Sequence, residues 1–155
     1  MHSSTRVADL LGLLFILQNE FAGKTDLFEL EKRLEVDLDD FMPIVYAADD
    51  LGFITIGDGD IIISDKGTEF IRSTLKKRKE LIRGSLFLIE PFKTAASLAL
   101  FDIDRLKAKL SEQSVMNFEG PGGKHDLEIL MNDWGVYSGM FNVSDDGVYH
   151  LIQSN

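Results

Sequence analysis

Four basic residues, Arg72, Lys76, Lys79 and Arg83, recur at spacings of four, three and four. On an α-helix those spacings put all four on one stripe about three turns long. Lys77 and Arg78 flank it, so six of the sixteen Lys and Arg residues fall between positions 72 and 83 of an otherwise acidic chain. The chemistry offered is partner and anion binding: the stripe could dock an acidic protein surface, lipid headgroups or a nucleotide phosphate. The plainer alternative is a solvated face that balances the protein's own acids, since charged stripes on helices usually face water.

The other chemical candidates are weaker. Gly120-Pro121-Gly122-Gly123-Lys124 before a helix has the glycines and lysine of a phosphate loop, but Phe118 occupies the position of the first glycine and His125 that of the metal-binding hydroxyl. Nucleotide cleavage is therefore not supported, and a flexible loop explains the glycines. His2, His125 and His150 share no helical ligand spacing, so no metal site is expected. Asp58 with Asp60, and Asp145 with Asp146, sit in turns without the spacing or closing Glu of a calcium loop. With no cysteine and no Gly-x-Ser-x-Gly elbow, the chain offers no obvious nucleophile. No catalytic residue and no cofactor are expected, and the chain does not read as an enzyme.

Positioning these residues requires a particular order of elements. Apolar residues at 7, 10, 11, 14, 15 and 17 predict a buried helix over Val7 to Asn19. Thr25 or Asp26 can cap a helix running to Leu34, with Glu29 placed for a capping box. Asp37, Asp39 and Asp40 suit the positive start of a third helix that ends at Asp49-Asp50-Leu51-Gly52, Pro43 being awkward within it. A hairpin then turns at Asp58-Gly59. A long helix is predicted from Thr68 toward Glu90. The second half repeats the theme: a helix over Asp104 to Leu110, another from His125 to Trp134, and a hairpin of Val136 to Val143 and Val148 to Ile152. Trp134, Tyr137 and Phe141 look like a core cluster under that second hairpin.

The fold expected is α+β and mostly helical: two winged-helix-like units, 1–67 and 91–155, joined by a long helix over 68–90. In a winged helix that reads DNA, the third helix carries Lys and Arg toward phosphates. Here it carries Asp37, Asp39, Asp40, Asp49 and Asp50 and no basic residue. The net charge of −10, from 26 acids against 16 bases, points the same way, because phosphate contacts supply most nucleic-acid affinity. Nucleic acid is disfavoured as a partner. The apolar run Ser85 to Phe101 contains Glu90, Pro91 and Lys93 and is a poor membrane span. The run from Val7 to Leu17 is interrupted by Asp9 and followed by no small-residue cleavage site.

Several motifs taken together resemble a known family. They are Leu11-Gly12-Leu13-Leu14, Gly23-Lys24-Thr25-Asp26-Leu27, and Asp39-Asp40-Phe41-Met42-Pro43-Ile44-Val45. Leu51-Gly52-Phe53, Gly59-Asp60-Ile61 leading to Ser64-Asp65-Lys66-Gly67, and Asp133-Trp134-Gly135-Val136-Tyr137 reaching Phe141 complete the set. In this order they resemble the C-terminal AAA-associated domain found behind the ATPase of nitrate, sulfonate and taurine-type ABC importers. The resemblance implies a free-standing, non-catalytic accessory or regulatory module that interacts with an importer ATPase or permease. It implies a cytoplasmic location, peripheral to the inner face of the membrane. Exposed edges of the wings and the apolar Ser85 to Phe101 segment leave room for a homodimer. The resemblance does not imply ATP hydrolysis, because Walker A, signature and Walker B sequences are all missing from the chain. On this reading Arg72, Lys76, Lys79 and Arg83 contribute to partner contact. The alternatives are a winged-helix DNA-binding transcription regulator and a sensor of a small ligand bound between the two units.

Overall fold

Leu10, Leu13, Leu14 and Leu17 are all buried on one face of α1 (Val7–Glu20), the spacing that drives an amphipathic helix onto a core. In the computed structural model, which describes residues 1–153, the chain then turns through Ala22 and Gly23, both at positive φ, into a short strand β1 (Lys24–Asp26). Asp26 caps α2 (Leu27–Leu34), its Oδ1 accepting from the Glu29 amide at 2.7 Å. That resolves the choice between Thr25 and Asp26, since Thr25 is buried within the strand.

Helix α3 (Leu38–Asp50) keeps Pro43 inside it. The proline has no N–H to give the Asp39 carbonyl, but Asp39 lies in the exposed first turn, where water can replace the missing donor. Strands β2 (Ile54–Gly57) and β3 (Asp60–Ile63) form the expected hairpin. Asp58 and Gly59 have φ of 53° and 83°, the left-handed pair that a tight two-residue turn requires. β3 also pairs with β1, Thr25 facing Ile61, so the sheet has three antiparallel strands in the order β1-β3-β2. Phe53 and Phe70 meet beneath it with ring centroids 4.8 Å apart.

The helix predicted over 68–90 is not one rod. α4 (Asp65–Arg72) stops at Ser73, whose backbone is extended, and α5 (Leu75–Leu86) begins two residues later. Hydroxyls and a guanidinium make the break. Ser73 Oγ donates back to the Glu69 carbonyl at 2.6 Å, and Thr74 Oγ1 accepts from the Lys77 amide at 3.3 Å. Arg78 donates through Nε to Phe70 O (2.9 Å) and through Nη2 to Ile71 O (2.8 Å), covering the last carbonyls of α4.

The second half holds α6 (Phe92–Leu98), β4 (Leu100–Phe101), α7 (Ile103–Glu112) and α8 (Gly123–Leu130). α8 widens into a π-helical segment, Met131–Val136, instead of ending at Asp133-Trp134-Gly135 as expected. Strands β5 (Phe141–Val143) and β6 (Tyr149–Leu151) follow, so the first strand of this hairpin starts well after Val136. β6 pairs with both β4 and β5, in the order β4-β6-β5. Trp134 and Phe141 are fully buried, and Phe101 packs edge-on to Phe141 and face-on to Tyr149. Trp134 and Phe141 are thus in the core as the sequence pointed to, whereas Tyr137, expected with them, is only half-buried.

The chain is α+β and mostly helical. It divides into two compact units, His2–Arg78 and the residues from Lys79 onward with Met1, so the boundary falls inside α5. Each unit contains the run helix, strand, helix, helix, strand, strand, followed in the first by α4 and preceded in the second by most of α5, and the last strand of each run is at the centre of a three-stranded sheet. Among the described residues no helix is long and apolar enough to cross a membrane.

Candidate functional site

The basic run does not form one stripe, because the break at Ser73 separates Arg72 on α4 from the rest on α5. Arg72 and Lys76 are exposed. Lys77 lies 3.9 Å from Glu69, and Arg78 is committed to the end of α4. Lys79 and Arg83 are half-buried within the C-terminal unit. Lys79 Nζ sits over the Tyr137 ring, and Arg83 Nη1 donates to the Ser138 carbonyl at 3.3 Å. Spacing alone could not reveal that these cations hold the loop after the π-helical segment.

The acidic helix is as the sequence implies. On α3, Asp39, Asp40, Asp49 and Asp50 are exposed, together with Tyr46. Asp37, at the N-cap, makes no side-chain capping bond. The hairpin carries no Lys or Arg. Lys24 on the neighbouring strand pairs with Asp60 at 3.6 Å. Lys66 tucks in where α4 starts, donating to the Leu51 carbonyl at 3.0 Å with its ammonium 5.1 Å from the Phe53 ring centroid. Burial pushes its pKa below the ordinary lysine value, partly offset by Glu69.

In the C-terminal unit the glycine loop serves packing. A Cβ at Gly123 would lie 1.9 Å from the Phe118 carbonyl oxygen, so only glycine fits where α8 begins. Lys124 pairs with Asp104 at 3.2 Å. His125 and His150 are exposed, as is His2 in the N-terminal unit, and among the described residues no group of three or more His, Cys, Asp or Glu is disposed to hold a metal ion. The Asp145-Asp146 turn borders a polar depression of about 420 Å3 whose other carboxylates are Asp102, Asp104 and Glu128, with Lys124 among them. Tyr149 donates to Asn132 Oδ1 at 2.9 Å, and burial raises its phenol above the ordinary range.

An apolar groove in the N-terminal unit was not anticipated. It runs between α1 and α3, has a volume of about 330 Å3, and is floored by Gly12, Leu13, Ile16, Phe41 and Ile44. Leu34 and Val36 close one side, and Asp9 and Asp40 stand exposed on its lining. Gly12 explains the opening, since a Cβ there would meet nothing within 4 Å. A glycine on the exposed side of an otherwise leucine-rich helix was the available signal, and it became legible only once α3 was placed beside α1.

No curated protein and no solved structure matches the chain significantly. Residues 28–144 of the 155 match the family described as the C-terminal AAA-associated domain. The match begins in α2, ends just beyond β5, and so takes in elements of both units. With so much of the sequence covered, the chain belongs to the C-terminal AAA-associated domain family.

Proposed function

We propose that this chain is a non-catalytic, regulatory protein-interaction module that works beside the ATPase of an ABC-type importer of the nitrate or sulfonate kind. The observation that carries the reading is the family match over residues 28–144. The distribution of charge supports it. On a winged-helix reading of the two units, α3 is the helix that would enter a DNA groove, and it exposes four carboxylates. Such a face repels phosphate and leaves protein surfaces as the natural partners. Arg72 and Lys76 are the members of the basic run placed to contribute to that contact. A position at the inner face of the membrane follows from the partnership.

The test is sedimentation of the purified chain with an importer ATPase of this class at physiological salt. A co-sedimenting complex weakened by Arg72→Glu with Lys76→Glu is expected. Independent sedimentation at micromolar concentrations of both would remove the proposal. The winged element order favours one further reading, a DNA-binding regulator. Titration of random duplex with salt separates the two, because phosphate binding weakens steeply as salt rises.

A further inference from the structure

We infer that the groove between α1 and α3 receives a basic amphipathic helix from a protein partner. The inference rests on the reading of the chain as a protein-interaction module and narrows both the place of contact and the chemistry of the partner.

The groove has the shape for a helix. Along α1 its lining steps through Ala8, Gly12 and Ile16, one residue per turn, a length of about 12 Å. Apolar anchors at i and i+7 of a docked helix span about 10 Å, so two turns of partner fit this floor. Among the described residues no strand contributes to the lining, which leaves no sheet edge there for an extended peptide to join. The volume is at the small end of the about 300–1,000 Å3 found for ligand clefts. It suits a few aliphatic side chains inserted from above better than a whole small molecule enclosed.

The charge of the rim selects the partner. Asp9 and Asp40 belong to the lining, Asp39 is in the same first turn of α3 as Asp40, and Asp37 precedes them with its carboxylate not engaged in capping. The positive half-charge at each helix start offsets part of this, and Arg6 precedes α1. Three carboxylates around one helix start still outweigh a half-charge and leave the α3 side of the rim acidic. Among the described residues no Lys or Arg lines the groove. An apolar floor beneath an acidic rim complements a helix with Leu-like residues on one face and Lys or Arg along its borders.

The test uses the full chain and a fluorescein-labelled Leu/Lys amphipathic peptide of about four helical turns, with a Leu/Glu peptide of the same design as comparison. Fluorescence anisotropy at physiological salt should show binding of the first and not the second. Gly12→Leu, which fills open space on a helix, and Asp39→Lys with Asp40→Lys should each weaken binding about tenfold or more. Asp49→Lys with Asp50→Lys makes the same change in net charge about 15 Å away along α3, beyond the Debye length of about 8 Å, and should alter binding by less than about twofold. Equal weakening by both acidic pairs means diffuse charge attraction and overturns the groove. So does unchanged binding by Gly12→Leu. The ATPase partnership is separable: if Gly12→Leu still co-sediments with an importer ATPase that the wild type binds, the groove falls and the module reading stands. If the peptide binds as expected but no importer ATPase does, the groove stands and that partnership falls.

Discussion

The Lys79 ammonium lies 4.9 Å from the centroid of the Tyr137 ring, so a residue that looked like part of a docking edge is held by its own unit. Between half-buried groups such a cation–π contact contributes about 0.5–2 kcal/mol. Lys79→Ala is expected to lower stability in urea by about that amount. Lys76→Ala, on an exposed position, should stay within about 0.5 kcal/mol of wild type. If the two variants unfold at the same urea concentration, the Lys79 contact contributes nothing.

Two glycines of the N-terminal unit should respond to alanine with opposite sign. At Gly12 the added methyl meets open space on a helix, so Gly12→Ala should stabilise by about 0.5–1 kcal/mol. At Gly67 it would come within 2.2 Å of the Phe53 carbonyl oxygen and 2.8 Å of Ile63 Cγ1. The start of α4 must then move off the hairpin, and Gly67→Ala should cost about 1–3 kcal/mol or more. Thermal denaturation of both variants against wild type checks the signs.

Asp26 and Asp102 perform one task in the two units. Asp26 ends β1 and Asp102 follows β4, and each caps the next helix, Asp26 Oδ1 accepting from Glu29 N and Asp102 Oδ1 from Arg105 N. Replacing either with alanine should cost about 1 kcal/mol. Hydrogen exchange should show the loss locally, with α2 amides exchanging faster in Asp26→Ala and α7 amides in Asp102→Ala.

Tyr149 gives the C-terminal unit an alkaline limit. Burial first, then the charge of Glu128, raises its phenol above the ordinary 10.0, against the opposing hydrogen bond to Asn132. In the unfolded chain the phenol ionises near 10.0 while the folded chain keeps its proton. The unfolded state then binds fewer protons, so stability is fully present below pH 10 and declines as pH rises toward the folded value. Tyr149→Phe should cost about 0.5–1.5 kcal/mol at neutral pH through the lost hydrogen bond and remove this part of the alkaline decline. A decline of equal slope in the variant would assign it to other groups.

Elements with a period or a turn signature were legible in the sequence. The leucines of α1 and the Asp58-Gly59 hairpin stand where the pattern put them. β1 and β4, of three and two residues, are too short for an alternation to register, so each sheet had one strand more than expected. The break between α4 and α5 hid in Ser73-Thr74, whose hydroxyls compete locally with the helix ladder. The π-helical widening at Trp134 has no local signature, and its neighbours, Phe141 beside Gly135 and Tyr149 bonded to Asn132, come from strands later in the chain. The acidic character of α3 was readable from composition. The groove beside it was not, because it exists only between two helices separated in sequence.

In both units the strand made last lies in the middle. Among the described residues β1 and β2 pair only with β3, and β4 and β5 only with β6. A nascent chain that has emerged only as far as Gly59 therefore has its first three helices and no sheet to rest them on. During synthesis each half of this protein must wait for its closing segment to leave the ribosome before it can set, and a message truncated before Asp60, or before Tyr149, would leave an unfinished half with bare strand edges.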